Sequence, residues 1–93
     1  MEEMEKTFTK IEDDFDTIMS AFGIHGDCAI KYEEFHPEGS NFYGILTCNA
    51  NIMCRKYVWA LRYMPASQTA NDFVAEAKAK LFDMLVETAK RNL

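Results

Sequence analysis

Ninety-three residues carry ten Lys and Arg against fifteen Asp and Glu, a formal charge of −5, and 48% of them are apolar. That apolar content excludes a disordered chain, and the length suits one domain near the lower end of independently stable folds. No apolar run approaches the roughly 20 residues that cross a bilayer, and the acidic N-terminus is unlike a secretory signal, so no membrane role and a cytoplasmic location are expected.

The first sixteen residues hold seven acids and two bases, a local balance of −5, so the remainder is neutral. Within them Met4, Phe8, Ile11, Phe15, Ile18 and Phe22 recur three or four residues apart, with Met19 alongside. This period predicts an amphipathic helix whose apolar stripe faces the core. Gly23 is placed to end it in a left-handed cap. The mid-helix cluster Glu12, Asp13, Asp14 and Asp16 crowds like charges, which is mildly unfavourable in a helix. The expectation is that these four carboxylates point outward together as an anionic surface for a basic protein partner.

A turn over Gly23–Asp27 precedes a first strand, Cys28 to Phe35, and a loop from His36 to Asn41 dense in turn residues. A second strand is predicted from Phe42 to Cys48, with Asn49–Ala50–Asn51 as a short connection. The third runs from Ile52 to Met64. Its Met53, Tyr57, Leu61 and Met64 also fit a helical repeat, but Tyr57, Val58, Trp59 and Tyr63 favour a sheet. Strands joined by such short loops pair antiparallel. Alternation places Tyr57, Trp59, Leu61 and Tyr63 on one face of the third strand, with Arg55 among them. Helices covering only one face of the sheet would leave an aromatic patch bare, and Tyr, Trp and Arg are enriched at binding hot spots.

Pro65 stops the third strand. Thr69 with Asp72 forms a variant capping box, so the last helix is predicted from Ala70 almost to Leu93. One stripe holds Phe73, Ala77, Leu81, Met84 and Leu85, and a second holds Ala75, Ala79, Phe82, Val86, Ala89 and Leu93. So wide an apolar arc meets more than one surface, and Phe82 and Val86 join the possible interface. The architecture expected is α+β in the order α-β-β-β-α, a three-stranded antiparallel sheet with both helices on one face.

Chemistry is sparse. There is no G-x-S-x-G elbow, phosphate-binding glycine loop, H-E-x-x-H or Walker-type lysine, so no catalytic residues and no cofactor are assigned. Cys28, Cys48 and Cys54 read as reduced thiols, and their spacing to each other and to His36 lacks the pairing that pre-orients zinc ligands, so no metal site is assigned. Helix, three strands, helix is also the element order of double-stranded-RNA-binding domains. Those domains open their final helix with a basic cluster, whereas this one opens Thr69–Ala70–Asn71–Asp72, and the net charge opposes phosphate contacts.

The function expected is therefore a small acidic, non-enzymatic protein-binding module. In its sharper form it is a phage or mobile-element-type inhibitor, anti-CRISPR-like in size and charge, that sets an acidic helix against a basic nucleic-acid-binding enzyme. The alternative is a homodimeric structural or chaperone-like module using the aromatic sheet face. A third reading, an RNA or single-stranded nucleic-acid binder with the element order of double-stranded-RNA-binding domains, would stack bases on Tyr57 and Trp59 beside Arg55, Lys56 and Arg62.

Overall fold

The computed structural model describes residues 2–92. Helix α1 (Glu2–Ala21) leads into strands β1 (Gly26–Phe35), β2 (Tyr43–Ile52) and β3 (Arg55–Tyr63), and helix α2 (Ala70–Arg91) closes the order. The strands form one antiparallel sheet in the order β1-β2-β3. Both helices lie on the same face of it, as the hydrophobic pattern requires.

Local chemistry sets the helix ends. Gly23 adopts φ 68°, and the Ile24 N–H reaches the Met19 carbonyl at 2.8 Å while the Gly23 N–H reaches that of Ser20. This is the Schellman arrangement, which satisfies carbonyls that the last turn leaves unpaired. At the start of α2 the Thr69 hydroxyl accepts the Asp72 N–H at 3.1 Å.

The β2–β3 connection differs from the predicted one. Asn49, Ala50 and Asn51 belong to β2, and the chain reverses at Met53 and Cys54, both at positive φ. Leu46, Cys48, Ala50 and Ile52 are all buried, so continuing the alternation to Ile52 covers two further side chains. That gain outweighs the preference of Asn for turns, and the two-residue reversal falls to poor turn formers. The first strand likewise begins earlier than predicted, at Gly26. A Cβ there would collide with the Asn51 backbone.

Even-numbered residues of β1 and β2 and odd-numbered residues of β3 face the helices. α1 seats Phe8, Ile11, Phe15 and Met19 on that face, and α2 seats Phe73, Ala77, Leu81 and Met84. Rings from four elements meet at the centre. Phe8 lies 5.6 Å from Tyr32 and 5.9 Å from Phe73, and Tyr63 lies 5.0 Å from Phe73. Each such ring contributes about 1.5–3 kcal/mol of apolar burial. Ile18 and Phe22, predicted on the buried stripe of α1, are exposed. Ala75, Ala79, Phe82 and Ala89, on the second stripe of α2, are exposed as well, Val86 is half-buried, and Leu93 lies outside the described residues.

Candidate functional site

The four carboxylates singled out on α1 do not act as one surface. Glu12 turns inward, where its Oε2 accepts the Ile30 N–H of edge strand β1 at 2.7 Å. An edge strand leaves alternate backbone groups unpaired, and a charged acceptor from the covering helix meets one of them. Asp14 lies on the flank of α1 that faces α2 and pairs with Lys10 at 3.1 Å, an exposed i,i+4 bridge. Asp13 and Asp16 remain solvent-exposed.

Asp27 at the start of β1, whose odd position faces the uncovered side of the sheet, is still near enough for its charge to act on Asp16. Burial raises the Asp16 pKa above the ordinary carboxylate value, and the charges of Glu12, Asp13 and Asp27 raise it further. Among the described residues, no Lys, Arg or His bridges Asp13, Asp16 or Asp27. Charges crowded in this way and left without a partner maintain an outward field. Asp27 was missed from the sequence because it reads as a turn residue. Its charge reaches Asp16 because β1 is the strand that α1 covers.

The aromatic face of β3 is the seat of α2, not a bare patch. Trp59 donates its Nε1–H to the Met84 sulfur at 3.5 Å. The Tyr57 hydroxyl lies 3.4 Å from Thr88 Oγ1 and accepts from Arg91 at 3.1 Å. Leu61 is half-buried against the core, Tyr63 is buried, and Arg55 pairs with Glu87 at 3.5 Å. The wide apolar arc of α2 and the aromatic set of β3 satisfy each other. Lys56 and Arg62 lie on the opposite face from Tyr57 and Trp59, so the stacking platform of the nucleic-acid reading is not assembled.

The uncovered face of the sheet carries Lys56, Val58, Ala60 and Arg62 of β3, with Ile45, Thr47 and Asn49 of β2. At one end Phe35 stacks on Tyr43 with centroids 5.2 Å apart, and the Arg62 guanidinium sits 4.4 Å from the Tyr43 centroid. Alternation in the three strands was the available signal for this trio. Between the helices runs an apolar groove of about 340 Å³, lined by Ile11, Phe15, Ile18, Leu81, Phe82 and Leu85, with Asp14 and Lys78 at its rim.

The residues weighed for metal or nucleophilic chemistry are dispersed. Cys28 and Cys48 meet in the core with sulfurs 3.8 Å apart, and the hydrogen bond to Cys48 together with burial pushes the Cys28 thiol up. A thiol held in this way stays protonated and is a poor nucleophile. Cys54 is exposed in the hairpin turn, and His36 lies 3.3 Å from Glu34. Among the described residues no three His, Cys, Asp or Glu groups are disposed to hold a metal ion, and no helix is long and apolar enough to cross a membrane. Comparison of the chain with family models, with curated proteins and with solved structures finds no match.

Proposed function

We propose that this chain is a small, non-enzymatic protein-binding module that presents the acidic flank of α1 and β1 to a partner with a basic surface. The observation that carries the reading is that Asp13 and Asp16 share the exposed side of α1, with the charge of Asp27 near enough to act on Asp16, and that among the described residues no Lys, Arg or His bridges any of the three. A basic partner surface releases the repulsion among them, which favours fast, salt-sensitive association. In its more specific form the partner is a nucleic-acid-binding enzyme, and the carboxylates stand where phosphates would otherwise lie, so that binding inhibits it.

The test is capture of binding partners by immobilised protein at low and high salt, beside the triple variant Asp13→Asn, Asp16→Asn, Asp27→Asn. The proposal expects capture that weakens steeply with salt and is lost in the triple variant. Asp14→Asn, on the other flank and already paired with Lys10, should leave it intact. Undiminished capture by the triple variant would refute the reading.

Dimerisation through the helical face is the second reading. It rests on Ile18 and Phe82, which are 42% and 62% exposed at the rim of the apolar groove. It expects a salt-insensitive dimer that Phe82→Asp dissociates, and a monomer at high concentration would dismiss it.

A further inference from the structure

The parity of the ladder decides which backbone groups of the sheet are unpaired. The Ile30 N–H leaves the sheet for Glu12. An antiparallel residue directs its N–H and C=O to the same side, so the even-numbered residues of β1 point outward and the odd-numbered ones bond β2. Carried through the register, Cys48↔Trp59 becomes a hydrogen-bonded pair, and Lys56, Val58, Ala60 and Arg62 direct both groups away from β2. Two independent features agree. The two-residue reversal at Met53 and Cys54 closes on Ile52↔Arg55, a pair that the same parity makes hydrogen-bonded. Met64, the next even position, gives its N–H to the Gln68 side chain at 3.1 Å instead of to β2.

The two edges of the sheet are therefore treated differently. On β1 a carboxylate of α1 occupies the outward N–H of Ile30. On β3, among the described residues, none of the four outward positions has a backbone partner. This strand is nine residues long and contains Arg55, Lys56 and Arg62 with no acid. Arg55 is engaged by Glu87, and the outward positions carry Lys56 and Arg62, the latter with its guanidinium over Tyr43 but paired with no acid among the described residues, flanking the exposed Val58 and the small Ala60.

We propose that the open edge of β3 captures an extended acidic segment of a partner protein as a fourth strand. Strand addition takes its affinity from the unpaired backbone groups and its specificity from alternate side chains. Here the alternate positions opposite Lys56, Val58, Ala60 and Arg62 call for acidic, apolar, apolar and acidic residues in turn. That pattern is the same in either strand direction. In the register centred on Trp59 a second copy of this chain is disfavoured, because it sets Lys56 opposite Arg62, and like charges directly opposed are destabilising.

The probe is a synthetic peptide with Glu at its first and seventh positions, Val at its third and fifth, and Thr between them, followed by fluorescence anisotropy. Binding is expected to the full chain, with slowed amide exchange at Val58 and Ala60. Replacing both Glu by Lys is expected to weaken it at least about tenfold, since two cross-strand pairs change from attraction to repulsion. Lys56→Glu with Arg62→Glu should invert that preference. Ala60→Pro removes an outward N–H without touching the β2 ladder and should weaken binding, as should N-methylation of the peptide backbone, which needs no change in the protein. The triple Asn variant of the α1 flank should bind the peptide as the wild type does. Absence of peptide binding overturns the proposal, as does binding indifferent to both Ala60→Pro and N-methylation. So does a dimer in sedimentation that Ala60→Pro dissociates, which would assign the edge to a second copy.

Discussion

Replacing Glu12 with Ala should destabilise the protein more than any other single carboxylate change on α1. The substitution removes the acceptor 2.7 Å from the Ile30 N–H, at a site that is partly buried. Leaving such a donor unmet costs about 1–3 kcal/mol. Relief of the i,i+4 repulsion with Asp16 returns about 0.2–0.5 kcal/mol, so the loss should survive it. For a domain of this size each kcal/mol lowers Tm by about 4–8 °C. Glu12→Gln keeps a carbonyl oxygen in reach and forfeits only the charge assistance, so its loss should stay below about 1 kcal/mol. Asp13→Ala, at an exposed position, should fall within about 0.5 kcal/mol of wild type. Urea denaturation of the three variants gives the ranking, and amide exchange at Ile30 reports the bond directly. Equal stability of Glu12→Ala and Asp13→Ala, with unchanged exchange at Ile30, would refute the inward placement of Glu12.

Other substitutions test the packing and the electrostatics. Phe73→Ala, at the centre of the ring cluster and 0% exposed, should cost about 3–5 kcal/mol by denaturant titration. Phe82→Ala, 62% exposed, should change stability by less than about 0.5 kcal/mol at low protein concentration. Gly44→Ala should be destabilising by about 1–3 kcal/mol, because its Cβ would enter the Tyr32 ring within the sheet, and a thermal melt would show it. Asp16→Asn should stabilise at neutral pH by about 0.2–0.5 kcal/mol through lost repulsion with Glu12. The folded-state pKa of Asp16 is raised, so the native state binds more protons and its stability falls as pH rises from the ordinary carboxylate value to the raised one. The advantage of Asp16→Asn should accordingly fade as pH drops through that window, and an advantage constant from pH 3 to 7 would contradict the assignment.

The element order was legible because each helix repeats apolar groups over five turns or more and carries its own end signals, Gly23 and Thr69. Two features resisted the sequence for physical reasons. The hairpin turn at Met53 and Cys54 carries no turn chemistry, since burial of Ala50 and Ile52 fixes the register and the reversal follows. The face of β3 that stays bare depends on where α2 lands, and neither set of alternating residues is polar enough to announce it. Glu12 lies in between. It follows Ile11 and stands four residues after Phe8, at the border of the buried stripe, which hinted at an inward role. Its need to meet the Ile30 N–H, however, arises only from β1 being an edge beneath α1. The charge excess of the first sixteen residues was plain from composition. Its division into an inward acceptor, a bridged Asp14 and an unbridged group completed by Asp27 required the fold.

The most direct measurement is an NMR titration of the labelled chain with its captured basic partner, followed at the amides of α1 and β1. Shifts centred on Asp13, Asp16 and Asp27, with an affinity that falls steeply as salt is added, are the expected result. Perturbations centred on the open sheet face or the helical groove, with an affinity insensitive to salt, would contradict it.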